Sequence, residues 1–149
     1  MKTLQSILTE PSVRPRVVAD CVRVVDEEVH AKSGLSGFAI KGAYAVVNKV
    51  KPGFVAEAMN DLLPDFAARL DPFFQAARGA AEPLGAHMQA RASQVADALL
   101  GITDDRATRA KNASVKKAYE KLRPTGKKHV ETAVPRVSAV IEQYSKDAG

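Results

Sequence analysis

Glu27 and His30, three positions apart in a stretch of helical periodicity, put a carboxylate and an imidazole on one helix face, the arrangement that supplies ligands to bundle-type di-iron centres. Such a centre needs a second Glu-x-x-His pair and two further glutamates. His87 and His129 have no Glu three residues before them, so Asp26, Glu27, Glu28 and His30 read as a solvated helix end and no metal is expected. Asp104 and Asp105 are adjacent carboxylates, the residue type of general acid–base pairs. Directly after Gly101-Ile102-Thr103 they read instead as first-turn residues favoured by the positive end of a helix. Cys21 stands alone without an evident base and shares an apolar stripe with Val17, Val18 and Val25. It reads as a small buried hydrophobe, and a single cysteine forbids an internal disulfide framework. No serine sits in a nucleophile elbow, and no Walker or dinucleotide glycine pattern occurs. With no catalytic constellation, the chain reads as a non-enzyme without a cofactor.

Two features point to anions. The Lys32-Ser33-Gly34-Leu35-Ser36-Gly37 turn opens a helix, where backbone N–H groups can face a phosphate, and it distantly resembles the turn of helix-hairpin-helix DNA-binding modules. Gly101-Ile102-Thr103 does so too, but both lack that motif's second glycine, and helix capping explains both more simply. The stronger feature is charge segregation. Between Arg106 and Arg136 ten Lys and Arg face only Glu120 and Glu131, hence net +8, and the rest of the chain sums to −3 because the whole carries +5. Segregated charge speaks of partners, whereas evenly spread charge speaks of solubility. Lys116, Lys117, Lys121, Arg123, Lys127 and Lys128 are the candidate contacts to an acidic protein or to nucleic acid phosphates. A solvated face that only keeps the protein soluble is the plainer reading of the same residues. Aromatic interleaving is nearly absent, so stacking on single strands is not supported.

The elements that must carry these residues are helices, since apolar positions recur with α rather than strand periodicity throughout. A chain of 149 residues fits a single domain and buries roughly 68–70% of its extended surface. With three Tyr, five Phe and no Trp, the core must rest on Ala, Val and Leu. We expect an all-α, single-domain bundle of five to seven main helices. A short turn over 3–9 leads to a helix that Ser12 caps and that reaches about Ala31, its apolar face formed by Val13, Val17, Cys21, Val24 and Val25. Gly34-Leu35-Ser36 and Gly101-Ile102-Thr103 are predicted as tight connections, glycine ending one helix and the hydroxyl capping the next. The helix after Ser36 carries Phe38, Ile40, Tyr44, Val47 and Val50 and stops at Pro52-Gly53. Pro64 kinks the following helix or starts a new one. The stretch 78–92 is a loop with a short helix, and 93–100, 112–122 and 125–144 complete the set.

An internal echo links Ile40-Lys41-Gly42-Ala43-Tyr44 with Val115-Lys116-Lys117-Ala118-Tyr119, each followed by a basic-proline pair. It suggests a repeat of 36–74 in 111–145, the first copy buried among helices and the second facing water. Coincidence between similar amphipathic helices explains it equally well.

At Lys32-Ser33-Gly34-Leu35-Ser36-Gly37 with Ile40-Lys41, and again at Lys117-Ala118-Tyr119 with Lys128-His129-Val130-Glu131, the chain resembles a family of small uncharacterised bacterial helical proteins. That resemblance implies a bacterial, intracellular, single-domain protein and carries no activity to any residue. The proline-bearing helix pairs also look loosely like HEAT-type repeats, which favours a protein-binding scaffold. No apolar run approaches the ~20 residues of a membrane span and no signal-peptide core is present, so a cytoplasmic protein is expected. The apolar stripe Val130, Val134, Val137 and Ile141 reads as core rather than as a membrane-surface face. The first functional expectation is a binding or scaffold module that engages an acidic partner through its basic C-terminal surface. The alternative is a helical carrier holding a small apolar ligand, because few large aromatics leave space and Phe38, Tyr44, Phe66, Phe73 and Phe74 cluster in the first half. Oligomeric state is not readable from the sequence.

Overall fold

The computed structural model describes residues 3–32 and 34–146, except for the side chains of Leu35 and Ser36. Seven helices follow one another among the described residues: α1 (Leu4–Leu8), α2 (Arg14–Ala31), α3 (Gly34–Val50), α4 (Phe54–Gly79), α5 (Leu84–Ala90), α6 (Ala92–Thr108) and α7 (Ala113–Ser145). No strand occurs among the described residues, so the fold is all-α. No described helix is long and apolar enough to cross a membrane.

The long α4 and α7 organise the bundle. Each runs through two internal prolines, Pro64 and Pro72 in α4 and Pro124 and Pro135 in α7. A proline removes the hydrogen bond to the carbonyl four residues earlier, so that acceptor needs another donor. For Pro64 the donor is Arg14 of α2, whose Nη2 bonds the Asn60 carbonyl at 2.7 Å while its Nε bonds Asn60 Oδ1 at 2.9 Å. The predicted break between 122 and 125 is also absent, α7 running on through Pro124. Residues 36–74 thus lie on two helices parted at 51–53, and residues 111–145 lie almost wholly on one.

Two predicted helix ends are corrected. Ser12 does not cap α2, whose N-cap is Val13 without a side-chain bond; the Ser12 hydroxyl turns back to the Glu10 carboxylate. Gly101-Ile102-Thr103 is no connection but the interior of α6. Thr103 has its hydroxyl satisfied locally by the Leu100 carbonyl at 3.2 Å and by Tyr119 at 2.8 Å. Asp104 and Asp105 therefore lie near the end of a helix, not in its first turn. The connection at Pro52-Gly53 is present as predicted, with Gly53 at φ +80°. A different glycine signal fails after α4: Gly79 stays helical, and Ala81 takes the left-handed position at φ 53°. The bonds from Glu82 N–H to the Ala77 carbonyl and from Ala81 N–H to the Arg78 carbonyl close that end.

The core joins Leu4 of α1, Val17 of α2, Leu63, Leu70 and Phe74 of α4, Met88 of α5, Val95 of α6 and Val134 and Ile141 of α7. Helix α1 is fixed at its start by Asp71 of α4, which accepts the Leu4 N–H at 2.7 Å. Helix α3 stands apart from this cluster: Ile40 is buried, but Phe38 is 80% exposed and Val46 and Val50 are about half exposed. Gly42 and Ala45 are exposed as well, so the expectation that this stretch is buried among helices is not met. The reason is geometric. One helix of the bundle has neighbours on one side only, and its apolar residues are spread around the cylinder rather than along one stripe.

Candidate ligand-binding site

Short side chains leave a hole where α2, α4, α6 and α7 meet. Phe66 and Leu70 of α4, Val24 of α2, Leu99 of α6 and Val130 and Ala133 of α7 are among the residues bounding a cavity of about 350 Å³. The spacing on α7, at 130, 133, 137 and 141, follows one face of a helix; three residues of the apolar stripe read from the sequence, Val130, Val137 and Ile141, lie on this wall, and the fourth, Val134, is in the core. Val and Ala do not reach far enough to fill the space, and Phe66 is the one aromatic on the lining. Cavities of roughly 300–1,000 Å³ with apolar walls and few polar groups are the usual form of small-molecule sites.

The polar groups are gathered on the α2–α7 side. Lys32, Glu28 and His129 line the cavity. The Lys32 ammonium donates to Glu28 Oε1 at 3.0 Å and to Thr132 Oγ1 at 2.5 Å. Glu28 Oε2 lies 3.0 Å from Arg136 Nε, and Arg136 also bonds Glu27 at 2.8 Å. The Lys32 and Glu28 side chains are only 13% and 14% exposed, which makes this pair less screened than the surface ion pairs elsewhere. His129 differs from all of these: its Nε2 is buried and has no hydrogen-bond partner. Burial, and then the nearby Lys32 and Lys128 charges, hold its imidazole below the ordinary range, with Glu28 opposing. The ring is therefore neutral at neutral pH and sits in a net positive field.

A sharp corner places Lys32 at the edge of the cavity. Helix α2 ends with Lys32 in an extended conformation, and Gly34 enters α3 at φ +74°. Gly37 then packs on the Lys32 backbone so closely that a Cβ there would lie 2.7 Å from the Lys32 carbonyl carbon. The glycine-rich turn thus lets two helices touch. Ser33 and the side chains of Leu35 and Ser36 lie outside the described residues, and α3 begins before Ser36.

The residues singled out from the sequence are distributed as follows. Cys21 lies on the cavity wall, its thiol pushed up to about 11 by burial and by Asp20. His30 is exposed and bonds the Asp26 carbonyl at 2.7 Å, while Glu27 is taken by Arg23 and Arg136, so the two do not converge. No metal-sized cluster of His, Cys, Asp or Glu occurs among the described residues. Of the six basic candidates, Arg123 forms a bidentate pair with Asp104 and Lys127 bonds Asp97 at 3.1 Å, both on α6. Lys116, Lys117, Lys121 and Lys128 are exposed and have no carboxylate partner among the described residues. Lys116 also borders a second pocket of about 440 Å³, together with Lys51, Arg106 and Arg109. Of the five clustered aromatics, Phe66 bounds the cavity, Phe74 is core and Phe73 packs beside it.

Sequence reasoning missed Glu28, Lys32, His129, Thr132 and Arg136 as a group. A partial signal existed in Glu28 and Lys32, four residues apart on one helix. Nothing in the sequence joins them to residues a hundred positions away.

Together the fold and cavity define a small all-α bundle with a ligand-sized apolar pocket and a polar group at its edge. The chain belongs to a family of unknown function, DUF6918, which it matches over residues 4–145. No curated protein and no solved structure matches it.

Proposed function

We propose that the protein is a non-catalytic carrier that holds one small apolar ligand between α2, α4, α6 and α7. The observation that supports this is the apolar pocket of about 350 Å³ itself, partly open to solvent and within the usual size of small-molecule sites. A half-buried, protonated Cys21 on its wall suits a cytoplasmic setting. The test is titration with the neutral fluorophore N-phenyl-naphthylamine. Saturable enhancement at one probe per chain, reduced at least tenfold by Ala133→Phe with an unchanged melting temperature, is the expected result. Absence of saturable binding refutes the carrier.

A second reading rests on α7. Lys117, Lys121 and Lys128 fall within about 40° of one another around a helix of 3.6 residues per turn, so they form one exposed row about 17 Å long. Such a row fits contact with an acidic protein or with phosphates, while Arg123 and Lys127 lie off it and are turned to Asp104 and Asp97 of α6. Duplex DNA retardation at low salt that vanishes in the triple Lys→Ala variant supports it, and none at low salt removes its nucleic-acid form.

A further inference from the structure

We infer that the cavity takes a single-chain amphiphile with a carboxylate head, the chain lying between the Val, Leu and Ala walls and the head meeting Lys32 and His129. This rests on the carrier reading and adds the chemistry of the ligand. Three observations carry it. His129 Nε2 is buried without a partner at the polar edge of a largely apolar pocket, and a buried polar atom left unpaired costs free energy that a bound acceptor would recover. An ammonium has three donors, and Lys32 spends two of them on Glu28 and Thr132, so one remains. Glu28 is already paired, Oε1 with Lys32 and Oε2 with Arg136, so a cationic head would face two cations and no uncompensated carboxylate.

These facts sort the candidate heads. A carboxylate has two oxygens, one for the remaining Lys32 N–H and one for His129 in its Nε2–H tautomer, and its charge suits the positive field of Lys32 and Lys128 at the ring. An alcohol brings one oxygen and no charge. A phosphate dianion brings twice the charge and a third oxygen to the same two donors.

Isothermal titration of the full chain with sodium laurate and with dodecanol tests the inference. Laurate is expected to bind at least tenfold tighter than dodecanol, and affinity should rise roughly fourfold per methylene from octanoate to laurate. Lys32→Met and His129→Leu should each lower laurate affinity about tenfold, as expected for a hydrogen bond to a charged group, and leave dodecanol binding within twofold. Retained dodecanol binding shows that the variant is folded and its cavity intact. On the unmodified chain, laurate but not dodecanol should raise the titration midpoint of the His129 ring followed by NMR. Equal affinity for the two ligands, or an unmoved His129 midpoint, overturns the carboxylate assignment while the carrier stands. Failure of both ligands to bind overturns the two together.

Discussion

Asp104 of α6 and Arg123 of α7 meet as a bidentate pair, Nε to Oδ1 at 2.7 Å and Nη2 to Oδ2 at 2.9 Å. Tyr119 donates to the same carboxylate, and Arg123 and Tyr119 together hold its pKa below the ordinary range. With Asp97–Lys127 the pairs run in opposite directions along the two sequences, as antiparallel neighbours require. Removing the carboxylate should uncouple α6 from α7. Asp104→Ala is expected to unfold at lower urea, and adding Arg123→Met should cost less than it does in the parent chain. Additive losses in that cycle would show that the pair is not coupled.

Gly101 separates a turn from a continuous helix by a single substitution. Inside α6 its added Cβ meets only Arg69 Nη1, at 3.8 Å, so Gly101→Ala should stabilise the chain by about 0.5–1 kcal/mol in thermal or urea unfolding. A loss of stability would indicate the connection that the sequence suggested.

Gly37 behaves oppositely. The Lys32 backbone occupies the place of its Cβ, so Gly37→Ala must push α2 and α3 apart, at a cost of about 1–3 kcal/mol. Because Lys32 moves with the corner, laurate binding should weaken more than dodecanol binding. Unchanged stability would contradict the contact.

Alkaline pH should loosen the fold. Burial pushes Cys21 up to about 11, and burial with hydrogen bonds to Asp104 and Asp20 pushes Tyr119 and Tyr144 up to about 12. The folded chain keeps these protons where the unfolded chain has lost them, so stability is full below about pH 9 and falls as pH rises towards 12. Denaturant midpoints measured across that range should decline, and Tyr144→Phe should flatten the decline. A midpoint that does not change with pH there would contradict the buried hydroxyls.

Much of the fold was legible because burying an apolar stripe demands a fixed period, and Val13, Val17 and Val24 or Val130, Val134 and Ile141 display it. Helix ends were less legible. Ser12, Gly79 and Gly101 have the right residue types for ends, but a cap forms only where the chain actually turns. Pro64 illustrates the converse: its lost hydrogen bond is offset by Arg14, fifty residues earlier, so a local breaker becomes tolerable inside a helix.

Composition and periodicity alone determined that the chain is helical, cationic near its end and poor in aromatics, because these are properties of residue type and spacing along one strand of polymer. Tertiary structure decided which cations remain uncovered, since Asp97 and Asp104 reach Lys127 and Arg123 only across a helix interface. It also decided that Ala and Val walls enclose a space with Lys32 and His129 beside it. A void and its polar edge are made by side chains from several helices at once, and no segment of sequence contains both.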